Sequence, residues 1–362
     1  SFPTRRSSDL GLVGLALSGK STLFGLLTGT PAATNGKPEA RVGSALVPDR
    51  RIDCLSQLYK PRKTTYARIE FVDIPGLVPG EEKKANPFLE EIRKVDAIVY
   101  VLRAFANPDV PHLMGDIDPL RDWELLEMEL LLSDLDLFEK RAQRLREARK
   151  KPKGWAEELA LLEKCRDALG EGKTLRDLAL ADSERELLQG YSLLTEKPVI
   201  PVVNVDEKQF TTGNYPGKAA LTAKLSAQNL PHLEICGQLE LEINALEGQD
   251  RELFMQDLGI TESGIQRLAR IAYDTLGLIS FFTVGEDEVR AWTIRKGTPA
   301  PEAAGKIHSD IARGFIRAEV LAYQDLLAAG SVARAREMGL YRLEGKEYLM
   351  QDGDITNFRF NV

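Results

Sequence analysis

Apolar and polar positions change their spacing three times along this chain. In the first part, short aliphatic runs alternate with stretches of helical period, the pattern of an α/β layer with a largely parallel sheet. The runs predict strands over 10–14, 67–73, 97–102, 199–204 and 233–236. Between the third and fourth lies a gap of about ninety residues, far more than one crossover needs. Inside it, Leu131, Leu135, Phe138, Ala142 and Leu145 recur at 4-3-4-3 spacing, which places them on one seam of a long helix. The stretch KKPKG, Lys150 to Gly154, breaks that helix, and Leu159, Leu162, Cys165 and Leu169 share a face of a second one. An antiparallel helical hairpin inserted into the sheet domain is predicted. SERE, Ser183 to Glu186, offers a capping box for the helix leading back.

From Leu278 the pattern changes again. LISFFTVG and EVRAWTI read as strands, and TPAPEAAGKIHSDI as a capped helix. GKEYLMQDGDITNFRFNV reads as a closing hairpin around Asp352-Gly353. A small α+β domain results. The first residues, SFPTRRSSDL, are too polar for the strand expected there, and residues 1–8 are read as a segment foreign to the fold. Composition adds only exclusions. A net charge of −7 argues against coating nucleic acid by bulk charge, although a local basic patch is compatible with it. No apolar run approaches the roughly 18 residues that span a membrane. Cys54, Cys165 and Cys236 have neither metal-site nor disulfide spacing and read as thiols in a reducing cytosol.

The chemistry lies in GLALSGKST, which matches G-x-x-x-x-G-K-[ST] with Gly14, Gly19, Lys20 and Ser21. Glycines let the backbone curl, so that N–H groups across Leu15, Ala16, Leu17, Ser18 and Gly19 face phosphate oxygens. The following helix, with Thr22 in its first turn, adds its positive end. Lys20 is assigned to the β- and γ-phosphates and Ser21 to Mg²⁺. About fifty residues on, FVDIPGL supplies Asp73 as a water-mediated Mg²⁺ ligand and the Gly76 N–H as a γ-phosphate sensor. Leu77 cannot orient an attacking water, so the catalytic device differs from an enzyme with Gln there. His112, in the loop VPHLMGDIDP, is a candidate catalytic helper at the phosphates, weighed against an exposed loop residue. His232 and His308 read as structural.

Together with DIPGLVPG, IDPLRD, LGLISFFTVGEDEVRAWTIRKGT, AAGKIHSDIARGFIRAEV and QDGDITNFRFNV, these residues resemble the YchF / Obg-like ATPase family, within the TRAFAC class of P-loop NTPases. The resemblance runs from Gly11 to Val362. It implies an OBG-type G domain over 9–120 and 196–277, a helical coiled-coil insert over 121–195, and a TGS domain of β-grasp fold over 278–362. It also implies cytoplasmic location, nucleotide hydrolysis with Mg²⁺ and association with the ribosome, expected through the large subunit. A monomer is expected. The chain departs from the family pattern in the phosphate loop, where Ala16, Leu17 and Ser18 replace the middle three of G-x-P-N-V-G-K-S, and in the first switch region. Leu17 has no oxygen for an activating potassium ion, and Lys37 stands where a Thr usually contacts Mg²⁺; both are compatible with slow hydrolysis.

The base is read by Asn204-Val205-Asp206-Glu207, where a guanine site carries Asn-Lys-x-Asp. An Asp carboxylate pairs with the two donors of guanine, whereas adenine presents an acceptor at N1. Glu207 moves that carboxylate by about 1.5 Å, one bond length, and Val205 removes the covering Lys. Asn204 is expected at the purine's N7 or N6 edge. Whether Asp206 or Glu207 faces the base is open. The resemblance puts Cys236 and Gly237, in EICGQ, at the base edge as well. ATP is therefore expected, with GTP weaker. The alternatives are a GTP-preferring GTPase of the same family and a nucleotide-binding scaffold with little turnover. The basic stretch RAQRLREARKKPK, Arg141 to Lys153, is weighed equally as an rRNA contact and as a solvated helix face.

Overall fold

The computed structural model describes residues 9–30, 40–78 and 87–361. Lys37 and the segment 1–8 lie outside the described residues. The strands, in chain order, are β1 (Asp9–Val13), β2 (Arg41–Leu46), β3 (Lys63–Thr65), β4 (Arg68–Asp73), β5 (Ala97–Arg103), β6 (Val199–Asn204) and β7 (Leu233–Ile235), followed by β8 (Leu278–Val284), β9 (Glu288–Arg295), β10 (Phe315–Ala322), β11 (Arg342–Glu344) and β12 (Asp354–Phe360). They form two six-stranded sheets.

The first sheet has the order β2-β4-β1-β5-β6-β7, and β4, β1, β5, β6 and β7 pair in parallel. Every residue of β5 and β6 is buried, which is why they read as unbroken apolar runs rather than alternating ones. Their parallel course brings the carboxyl ends of β1, β4, β5 and β6 to one edge, where ligands of such sheets bind. Helix α1 (Lys20–Thr28) leaves β1 directly. Sequence patterning did not find β2. Its residues alternate poorly, because it is an edge strand with only Ala45 fully buried.

Two units divide the chain. One comprises residues up to Gly43 and Glu70–Leu268, the other Ser44–Ile69 and everything from Ala269. The division therefore departs from the boundaries expected from sequence, which kept 9–120 together. Within the second unit, helix α2 (Arg50–Tyr59) sets the Arg51 guanidinium 5.3 Å from the Phe282 ring centre and 2.7 Å from Asp352, and β3 pairs in parallel with β9. These contacts take the stretch out of the first unit. The second sheet has the order β11-β10-β12-β8-β9-β3. β8 and β9 form the expected hairpin. The predicted closing hairpin is a correction: β10 lies between β11 and β12 and pairs antiparallel with both, so residues 345–353 cross rather than turn back. The Asp352 carboxylate accepts from the Ser280 N–H instead of shaping a hairpin turn.

In the first unit, α3 (Pro87–Lys94) precedes β5, and α4 (Pro119–Glu147) follows it. Asp118 caps α4 by accepting from the Leu120 and Arg121 N–H groups, with Pro119 in the first turn. The helix begins in the sheet's core with Trp123, Leu126 and Leu130, where the Trp123 ring meets Tyr100 edge-on at 5.1 Å. It then leaves along the predicted seam, with Leu131, Phe138 and Leu145 packed with Leu162, Cys165 and Leu169 of α5 (Trp155–Gly170). Arg141 and Arg146 of the basic stretch pair with Glu158 and Glu163 of α5, and Lys151 bonds to carbonyls of Leu145 and Arg146. Much of that stretch thus joins the two helices, while Arg144, Arg149, Lys150 and Lys153 are exposed. The capping box at SERE is also corrected. Helix α6 (Asp182–Leu188) starts one residue before Ser183, and Glu184 reaches back to the Ala181 N–H.

Asp134 fastens this insertion to the sheet. It is wholly buried, and its carboxylate accepts from the Leu194 N–H, the Thr195 N–H and the Thr195 hydroxyl just ahead of β6. Burial pushes its carboxyl above the usual range, against the pull of these donors. Asp134→Ala strands two buried N–H groups and is expected to cost about 2–4 kcal/mol in urea unfolding. Asp134→Asn, which keeps one acceptor oxygen, should cost clearly less.

Candidate functional site

The loop after β1 is shaped by close approaches. A Cβ on Gly14 would come 2.5 Å from the Val101 carbonyl oxygen, and one on Gly19 would strike the Asn204 amide nitrogen. Gly19 has φ +97° and Leu17 φ +65°. A left-handed non-glycine residue such as Leu17 costs roughly 1–2 kcal/mol, strain of the kind that collects at binding loops. It turns the loop back on itself beneath the N-terminus of α1. Lys20, the first residue of that helix, is 6% exposed, and its ammonium donates to the carbonyls of Gly14 at 3.2 Å and Leu15 at 2.7 Å. Burial lowers its pKa to about 8, partly offset by Asp73.

The segment after β4 is zipped to this loop. Leu77 N–H donates to the Gly14 carbonyl at 3.0 Å, and Ala16 N–H to the Leu77 carbonyl at 3.2 Å. A Cβ on Gly76 would come 2.7 Å from the Ala16 Cα and 2.9 Å from the Lys20 Nζ, so only glycine fits. The Leu77 side chain turns into the hydrophobic core, as its chemistry dictates. Asp73, at the end of β4, is bonded by Arg41 Nη2 at 2.7 Å, and that guanidinium lies 4.9 Å from the Phe24 ring centre. Ser21 and Asp73 offer hydroxyl and carboxylate oxygens, the donors Mg²⁺ prefers. Among the described residues, no group of three or more His, Cys, Asp or Glu could hold a metal unaided.

A cavity of about 760 Å³ runs from Gly19, Lys20, Ser21 and Thr22 to Asn204, Val205, Asp206, Glu207 and Gly237. The Asn204 amide spans the site. Its Nδ2 donates to the Ser18 carbonyl at 3.1 Å, and its Oδ1 accepts from the Gly237 N–H at 3.2 Å. The amide thus clamps the cavity's two ends together, and its second Nδ2 hydrogen and second Oδ1 lone pair are not used by these two bonds. Asp206 caps helix α7 (Glu207–Thr212): its Oδ1 accepts from the Gln209 N–H at 2.9 Å while Gln209 bonds back to the Asp206 N–H. Glu207, by contrast, is exposed in the first turn of α7 and borders the cavity. Val205 is buried in the core and touches the cavity. Cys236 is buried ahead of Gly237, the first residue of the helix after β7.

His112 is not among the cavity's lining residues. Its Nδ1 accepts from the Met114 N–H at 3.1 Å within its own loop, and its Nε2 donates to Asp122 at 3.0 Å, bracing the first turn of α4. A helper role at the phosphates would require this loop to swing away from Asp122. Sequence reasoning missed Phe105, whose ring lines the cavity, and Arg103 behind it. The Arg103 guanidinium stacks 4.3 Å from the Phe105 ring centre and donates to the Phe105, Val110 and Pro111 carbonyls. An arginine ending an otherwise apolar strand, followed by an aromatic residue, was the available signal. Arg41 gave none.

Known proteins resemble this chain along most of its length. Residues 9–130 match the family model described as 50S ribosome-binding GTPase, and residues 278–361 match the YchF-GTPase carboxy-terminal model, described as a protein of unknown function. The chain is 43% identical to the Ribosome-binding ATPase YchF of Bacillus subtilis, covering 97% of this chain and 99% of that protein. It is 40% identical to the protein of the same name from Escherichia coli O157:H7, with the same coverage. It superposes on the solved Schizosaccharomyces pombe YchF GTPase with a TM-score of 0.86 and 33% identity, over 97% of each chain.

The lowered pKa of Lys20 has a consequence for any phosphate ligand. Above pH 8 the empty site increasingly holds a neutral amine, whereas a bound polyphosphate requires the ammonium. Affinity for a nucleoside triphosphate should therefore fall about tenfold between pH 7 and 9, with a proton taken up on binding at the upper end. Calorimetry in buffers of different ionisation enthalpy measures both. A flat affinity with no buffer-dependent heat would contradict the assignment.

Proposed function

The chain belongs to the YchF family, as its full-length relatives show, and from that premise we propose a ribosome-associated ATPase that binds and slowly hydrolyses ATP, with GTP second. Its nucleotide state would act as a switch linked to translation. The observation that carries the choice of base is the fate of the two carboxylates beside Asn204. Asp206 is engaged in capping α7, so Glu207 is the group left to meet the purine. Its extra methylene and the loss of a covering lysine at Val205 weaken the paired contact guanine needs, by an amount on the order of 1–3 kcal/mol. Phe105 gives the cavity an aromatic surface for either purine.

The phosphates would lie along Gly14–Thr22. Curled backbone N–H groups and the α1 N-terminus face them, Lys20 turns from its loop carbonyls to the β- and γ-phosphates, and the Gly76 N–H meets the γ-phosphate. Mg²⁺, held by Ser21 and through water by Asp73, would neutralise charge developing between the β- and γ-phosphates. Leu77 is in the core, and His112, the candidate helper, reaches the phosphates only if its loop swings away from Asp122, so no side chain stands ready to activate the attacking water. Slow turnover follows from that.

The names of the relatives, Ribosome-binding ATPase YchF, and the 50S wording of the matched family model support a ribosomal partner, with the large subunit as the contact. That partner implies a cytoplasmic location, and we propose a monomer. No described helix is long and apolar enough to cross a membrane. The exposed Arg144, Arg149, Lys150 and Lys153 are the part of the basic stretch suited to rRNA phosphates. A GTP-preferring reading has one observation behind it: a Glu207 carboxylate at the rim could still accept from guanine. Calorimetry with non-hydrolysable ATP and GTP analogues separates the two, and equal affinities would sink the adenine preference. The double substitution Val205→Lys with Glu207→Asp should move the ratio toward GTP by about tenfold, the equivalent of roughly 1.4 kcal/mol. Reversing the charge of Arg144, Lys150 and Lys153 should weaken ribosome co-sedimentation and flatten its salt dependence.

A further inference from the structure

The carboxylate assigned to magnesium already has a cation on it. Arg41 Nη2 lies 2.7 Å from Asp73 Oδ2, and the Asp73 side chain is only 7% exposed. Most surface ion pairs contribute little, since water screens them and long side chains must be ordered. This one differs on both counts. The carboxylate sits at the buried end of β4, and the guanidinium lies 4.9 Å from the ring centre of Phe24, itself a buried residue of α1. The strand carrying Arg41 is pressed against that helix two residues later. A Cβ on Gly43 would stand 2.6 Å from the Thr28 Cγ2 and 2.9 Å from the Phe24 Cζ. The backbone beneath Arg41 is thus held, and only its side chain can move away from Asp73.

A second positive charge is close. Lys20 is buried and interacts electrostatically with the same carboxylate. A divalent ion approaching Asp73 therefore meets a carboxylate that already holds the Arg41 guanidinium and feels the Lys20 ammonium. Either the guanidinium leaves, at the cost of its ion pair and its stacking, or the metal binds against its repulsion. Both routes subtract from what the metal adds to nucleotide binding, while Arg41 and Lys20 supply positive charge to the phosphates without it.

We infer that Arg41 is an internal cation competing with Mg²⁺ for Asp73, so that this chain binds nucleoside triphosphates with little dependence on the metal. The inference rests on the nucleotide site described above. It is tested with the full chain by calorimetric titration of a non-hydrolysable ATP analogue, once with Mg²⁺ and once with EDTA. Wild type should lose no more than about threefold in affinity without the metal, whereas Arg41→Gln should lose about tenfold more, the order expected for removing one partly shielded charge beside a divalent ion. Arg41→Lys, which keeps the charge, should stay near wild type. Mn²⁺ binding to the protein–analogue complex, followed by electron paramagnetic resonance, should tighten in Arg41→Gln in parallel. Wild type showing the full metal dependence, or Arg41→Gln matching wild type, overturns the inference while leaving the nucleotide site intact. Wild type binding no analogue under either condition overturns both. Should Arg41→Gln fail to fold, the wild-type metal response and Arg41→Lys decide the question.

Discussion

One side-chain amide holds the site together. Asn204 ends β6, yet its two polar atoms bond outward, to the Ser18 carbonyl in the loop after β1 and to the Gly237 N–H after β7. Three segments far apart in sequence thereby share one rigid reference. The left-handed turns at Leu17 and Gly19 are oriented against it, and a side chain on Gly19 would collide with it. A buried amide that satisfies two backbone groups is hard to replace, because an apolar side chain there leaves both unpaired. The distance between the Gly19 end and the Gly237 end of the cavity is set by this clamp.

Around the clamp, neighbouring residues divide their labour by where the backbone puts them. Asp206 and Glu207 are adjacent carboxylates with different duties. The first sits at the N-cap of α7, where its short side chain closes on the Gln209 N–H. The second is one residue into the helix, where its side chain is free to extend over the cavity. The same logic separates Gly76 from Leu77. One must be glycine because Ala16 and Lys20 crowd it, and the other is pulled into the core.

Electrostatics at the phosphate end follow from burial. Lys20 is desolvated enough to bring its pKa near 8, and Asp73 compensates it only in part, since that carboxylate is also bonded by Arg41. A site arranged in this way is charged for polyanions before any metal arrives. Farther off, Asp134 spends a buried carboxylate on fastening the helical insertion to the strand that carries Asn204, so the clamp and the insertion share one foundation.

The sequence by itself determined the elements whose chemistry is local. The phosphate loop, the continuous apolar strands β1, β5 and β6 and the seam of α4 follow from composition and period, because steric freedom at glycine and burial of apolar faces act over a few residues. The family resemblance added what the parts are for. Tertiary structure alone decided the rest. Residues 44–69 joined the second unit because their partners, Asp352, Phe282 and β9, lie more than two hundred residues away. β10 entered between β11 and β12 although 345–362 reads locally as a hairpin. The clamp made by Asn204 and the brace from His112 Nε2 to Asp122 at the start of α4 were not legible, because those hydrogen-bond partners come from other elements. The pairing of Arg41 with Asp73 joins two strands that sit side by side in the sheet, and no spacing rule encodes which of an arginine's many reachable carboxylates it will meet.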